Sequence, residues 1–147
     1  MTRLNSTVDE AYPDGSRELL LAIVDTTIFE IKRRGGIVVQ DTRTKVLTVN
    51  HEFTVRLGII RCQEKSKDCL RWEIRFDRKT EPDIKIAVRL NGTNDAILDY
   101  YIFPKVEVRA THLRLAEDNE ISIDRFRSDT LEPLYRMAIR YKATEPA

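Results

Sequence analysis

The sequence predicts a single α+β domain: one mainly antiparallel sheet of five to six strands, with a mixed sheet as the variant, and an N-terminal and a C-terminal helix packed on one face. Three observations predict it. Across residues 46–104, successive segments alternate apolar and polar side chains at the two-residue period of a half-buried strand. An apolar stripe at three- and four-residue spacing precedes them, and a second such stripe lies near the C-terminus.

Residues 1–15 are polar, carry Pro13 and Gly15, and show no period, which predicts a flexible leader. From Ser16 onward Leu20, Ile23, Val24, Thr27, Ile28 and Ile31 share one helical face, while Arg17, Asp25, Glu30 and Lys32 fall largely outside it. Lys32, Arg33 and Arg34 then complement the helix dipole, and Gly35 is suited to the left-handed C′ position. Residues 37–40 and 46–49 read as short strands about a polar turn at 41–45.

Three clear alternations follow. Phe53, Val55, Leu57 and Ile59 interleave with Thr54, Arg56 and Gly58; Leu70, Trp72, Ile74 and Phe76 with Arg71, Glu73, Arg75 and Asp77; Ile84, Ile86, Val88 and Leu90 with Lys85, Ala87 and Arg89. Asn91-Gly92 supplies turn chemistry, and residues 98–103 form an aromatic strand closed by Pro104, with 106–109 continuing it as an edge. Asp129 followed by Glu132 resembles a capping box, with Leu131, Leu134, Tyr135 and Ala138 on one face of the last helix. The domain is expected over residues 16–142, with 143–147 as a tail.

A chain of 147 residues, 41% hydrophobic and 33% charged, is large enough for one core without disulfides or metal. The formal net charge is only +1, so attraction to nucleic acid requires a local patch. Cys62 and Cys69 stand without the paired spacings of a zinc site and read as reduced structural thiols. No signal-peptide core and no apolar run of membrane-spanning length occurs, so the expectation is a cytoplasmic protein with no membrane partner. The sequons at Asn5 and Asn91 are then chance matches.

His51 and His112 are the sole histidines, too few for a recognisable triad, and the glycines at 15, 35, 36, 58 and 92 form no phosphate-binding loop. No cofactor is expected. The candidate nucleic-acid contacts are Arg56, Arg71, Arg75, Lys85 and Arg89, which alternation places on the face opposite the apolar core, where they could neutralise phosphates. The same alternation points Trp72 into the core. A plain salt-bridged surface is the competing account of that face.

The helix-strand-strand-strand order resembles the PD-(D/E)XK nuclease fold, and residues 98–104 are similar to a late strand in some of its relatives. That resemblance implies a magnesium-dependent nuclease, or its inactive relative, using Glu73, Asp77 and Glu107. Arginine replaces the lysine of the Glu/Asp-x-Lys pattern in Glu73-Ile74-Arg75 and Glu107-Val108-Arg109. Residues 71–77, 82–90, 98–104 and 113–119 together look like a small bacterial domain associated with recombinase-type DNA proteins. Neither a resolvase serine context nor an integrase Arg/His/Tyr signature accompanies them. The expectation is therefore a non-enzymatic accessory or interaction domain in DNA transactions. The nuclease, and a protein-interaction or self-associating domain, stand as alternatives.

Overall fold

The computed structural model describes residues 15–63, 70–76, 80–108, 111–116 and 121–144. The expected leader, apart from Gly15, lies outside them, as do Cys69, Asp77, Arg109 and the last three residues. Helix α1 (Ser16–Arg33) buries Ile23, Val24, Thr27 and Ile31, the stripe read from the sequence. It ends as its composition dictates. Gly35 takes φ +96°, and the Gly36 and Gly35 amides donate to the carbonyls of Ile31 and Lys32, satisfying groups that the last turn leaves open.

Strands β1 (Val38–Gln40), β2 (Leu47–Val49) and β3 (Phe53–Ile60) form an antiparallel meander. The turn between β2 and β3 has Asn50 and His51 at positive φ, and the Glu52 amide closes it on the Val49 carbonyl. Asn50 is buried and ties three elements: its Oδ1 accepts from the Ile37 amide, and its Nδ2 donates to the Ala138 carbonyl of the C-terminal helix. Strands β4 (Arg71–Arg75), β5 (Ile84–Leu90), β6 (Ile97–Pro104), β7 (His112–Ala116) and β8 (Arg127–Ser128) follow in turn.

The main sheet is six-stranded and mixed, in the order β1-β2-β3-β5-β6-β8, with β8 at one edge. Among the described residues its one parallel pair is β3 with β5. Strand β4 does not join this sheet. It pairs antiparallel with β7 in a separate two-stranded ribbon. The edge continuation expected over 106–109 is corrected at its start: Lys105–Glu107 form a 3₁₀ turn after Pro104.

Both helices cover one face of the main sheet. Ile23, Val24 and Ile31 of α1 meet Leu131 beside, and Leu134, Tyr135 and Ala138 within, helix α2 (Glu132–Thr144), over Val55, Leu57, Ile84, Ile86 and Val88. The α2 cap differs from the expected one. Thr130 Oγ1 accepts from the Glu132 amide, while Asp129 pairs with Arg127 at 3.0 Å. Glu132 instead reaches α1, accepting from Arg34 Nη1 and Nη2 at 2.9 and 3.0 Å.

The opposite face of the sheet is where the sequence-based expectation and the structure diverge. Alternation leaves it polar and suggests solvent, but the β4–β7 ribbon packs over part of it. A second core forms there from Trp72, Ile74, Leu115, Ala87, Tyr101, Phe103 and Cys62. Arg89 lies inside this layer, 3% exposed, with its guanidinium over the Trp72 ring at 4.5 Å and the Tyr101 ring at 5.2 Å. It donates through Nε and Nη2 to both oxygens of the fully buried Asp99, at 2.8 and 2.6 Å. Arg127 Nε adds a third bond to Asp99 Oδ2, at 2.7 Å.

Two outcomes are expected in urea unfolding. Asp99→Ala takes the Asp99 carboxylate away from a buried guanidinium and should cost about 3–5 kcal/mol, whereas the double change Asp99→Leu with Arg89→Met should cost clearly less, because the buried charge goes with its partner. The Arg34 hydrogen bonds hold the Glu132 carboxyl below its ordinary value of 4.5. A depressed carboxylate stabilises the fold above the unfolded pKa and loses that contribution as pH falls through the folded one. Glu132→Gln should therefore lower the unfolding midpoint at neutral pH, and its difference from wild type should shrink towards zero in acid.

Candidate nucleic-acid interface

The ribbon owes its form to two short alternating segments whose apolar halves face the second core. On β4, Trp72 and Ile74 are buried and Arg71 and Arg75 exposed; on β7, Leu115 is buried and Arg114 exposed. Register brings Glu73 opposite Arg114 and Arg75 opposite His112, with Arg71 opposite Ala116. One outward face thus carries Arg71, Glu73, Arg75, His112 and Arg114. The ladder is extended at one end by the Phe76 amide, which donates to the Thr111 carbonyl.

Charge on this face is unbalanced. Three guanidinium groups and an imidazole surround one carboxylate among the described residues. Glu73 lies 3.9 Å from Arg75, 3.8 Å from Arg114 and 3.3 Å from His112 Nε2. The side chains of Arg75 and Arg114 are 79% and 71% exposed, so these loose contacts leave them able to reach outward. The His112 Nε2 contact lies outside hydrogen-bond geometry, and that nitrogen has no hydrogen-bond partner.

The five cations singled out by alternation do not share one surface. Arg71 and Arg75 stand on the ribbon's outer face. Arg56 and Lys85 are register partners on β3 and β5, both partly buried. Lys85 Nζ donates to the Arg75 carbonyl, lies 3.5 Å from Glu81 and sits 5.0 Å from the centre of the Phe76 ring. It fastens the ribbon to the sheet. Arg89 is an interior group, a correction to its expected place on an open basic face, because the ribbon covers that part of the sheet.

The aromatic side chains are likewise committed elsewhere. Trp72 is 1% exposed and its indole N–H donates to the Leu90 carbonyl, as its place in the alternation predicts. Tyr101 is fully buried and stacks on Phe103, while Tyr100 lies half-buried on the helix side, where desolvation raises its hydroxyl pKa.

Of the carboxylates of the metal reading, Glu73 and Glu107 fall in different clusters. Glu73 belongs to the ribbon cluster, and Glu107 sits in the 3₁₀ turn, 3.6 Å from Arg125. Asp77 lies outside the described residues. Among the described residues no three His, Cys, Asp or Glu side chains are grouped to hold a metal ion. No helix among them is long and apolar enough to cross a membrane.

Arg114 and His112 are not singled out by sequence alone. The signal is present in the alternation of His112, Leu113, Arg114 and Leu115, but with neighbours unassigned on both sides the segment is too short to assign by period.

No protein-family model and no curated protein matches the chain. Among solved structures it is similar to a bacterial homing endonuclease, I-Ssp6803I, at 14% sequence identity and a TM-score of 0.48, over 87% of this chain and 97% of that one.

Proposed function

We propose that this protein is a nucleic-acid-binding accessory domain in DNA transactions, and that it binds DNA through the outer face of the β4–β7 ribbon. The observation that carries this is the surplus of positive charge there: Arg71, Arg75 and Arg114 project from a ladder around Glu73, its one carboxylate among the described residues, in a chain whose net charge is only +1. Concentrating cations on one rigid ladder fixes their spacing. Strand geometry puts Arg71 and Arg75 about 13 Å apart along β4, and β7 sets Arg114 about 5 Å to the side. Guanidinium groups so placed can each meet a phosphate oxygen, and each such pairing releases counterions.

Lys85 and Arg89 have other tasks in this reading. Lys85 holds the ribbon's backbone to the main sheet and Arg89 supports Trp72 beneath it, so both act on the interface by positioning it.

Fluorescence anisotropy of a labelled duplex across a salt series tests the proposal. Wild type should bind at low salt and weaken linearly in log–log form. The triple variant Arg71→Ala, Arg75→Ala, Arg114→Ala, folded by circular dichroism, should bind far more weakly, with the salt slope reduced by about 0.9 for each phosphate no longer neutralised. Absence of binding by wild type at low salt, or an unchanged slope in the variant, refutes it.

A further inference from the structure

A carboxylate in the middle of a phosphate-binding face is out of place. Glu73 occupies the centre of the five-residue strand β4, two residues from Arg71 on one side and from Arg75 on the other, and its register partner is Arg114. If the ribbon met phosphates alone, Glu73 would repel them and reduce the very attraction that its neighbours create. A surface ion pair gives little reason to keep it, since its contacts at 3.8 and 3.9 Å are too long for hydrogen bonds. Neither arginine nor His112, 3.3 Å away, makes a hydrogen bond to the carboxylate, which is 26% exposed, so its lone pairs are unclaimed on the open side.

Such a group fits a base edge. A two-stranded ribbon is about the width that the major groove of B-form DNA admits, and its central side chains then face bases while those at its ends face the backbone. Trp72, Ile74 and Leu115 fill the inner side, so only the outer face can enter. We infer that the ribbon lies in the major groove of duplex DNA, with Glu73 accepting from the exocyclic amine of a cytosine and Arg114 directed at an adjacent guanine, making Glu73 a specificity-determining residue. Arg71 and Arg75, at the two ends of the strand, take phosphates. His112 Nε2 lies 3.3 Å from Glu73 Oε1, on one side of the carboxylate. The inference rests on the ribbon being the DNA-binding face.

Selection from a randomised duplex pool, run in parallel for wild type, Glu73→Gln and Arg114→Ala, tests it. Wild type should enrich a motif with a cytosine preferred about 5- to 100-fold at one position, the range of one good base contact. In Glu73→Gln that position should turn towards adenine, whose N6 and N7 suit a carboxamide, while the rest of the motif stays. Arg114→Ala should relax a guanine position and leave the cytosine in place. An enriched motif that Glu73→Gln leaves unchanged overturns the assignment. So does a wild-type pool without enrichment in which Glu73→Gln tightens every sequence alike; that result would retain the basic face as a phosphate contact. Absence of binding by all three proteins at low salt removes the DNA-binding face itself. Equal unfolding midpoints for the three proteins attribute the differences to the interface rather than to folding.

Discussion

The Arg89–Asp99 pair is the constraint on which the second layer of this molecule depends. A guanidinium in a protein interior must have its charge matched and its donors used, and Asp99 matches the charge and takes two of the donors through bonds between neighbouring strands β5 and β6. The flat faces of the group then become a surface for aromatic rings. Trp72 covers it from the ribbon and Tyr101 flanks it from β6. Arg127 brings β8 to the same carboxylate, so one buried acid links three strands of the main sheet and, through Arg89, supports a strand of the other. Trp72 also donates to the Leu90 carbonyl, which fixes its height above β5.

The two faces of the main sheet follow different physics as a result. The helix side is an apolar layer, where the stripes of α1 and α2 meet the inward residues of β3 and β5 and non-directional burial sets the packing. The ribbon side is smaller and more polar, and it depends on directional contacts: an ion pair, a lysine bonded to a strand carbonyl and an indole hydrogen bond. Directional contacts hold a ribbon at a defined angle and height better than apolar contact alone, since they lose strength quickly with distance and misalignment. That makes the ribbon a rigid carrier for whatever its outer face presents.

Function, on this view, separates two sets of cations that look alike. Those of the inner layer organise the structure, and those of the outer ribbon face, Arg75 and Arg114 above all, are exposed. The parallel pairing of β3 with β5 is what allows this. By excluding β4 from the main sheet it frees that strand to pair with β7 above it, and places Arg71 and Arg75 one layer further from the core than Lys85 and Arg89.

Local rules were sufficient for much of this molecule. The stripe Ile23, Val24, Thr27, Ile31 and the Gly35 stop defined α1, because helix periodicity and left-handed backbone are properties of a few neighbouring residues. Alternation likewise assigned which side of each strand Trp72 or Val88 occupies. It could not say which strands would be neighbours, or what would lie over a face. Arg75 and Arg89 have the same flanking pattern of apolar residues, yet one is exposed and the other 3% exposed, since burial is decided by segments far away in the chain. Nor could it join Arg114 to Glu73, which are 41 positions apart and meet only through the β4–β7 register. The sequence by itself determined the two helices, six of the strands and their sidedness; only the tertiary structure decided β7, β8 and the layers, because strand pairing and face-to-face packing depend on contacts between distant segments that a two-residue period does not encode.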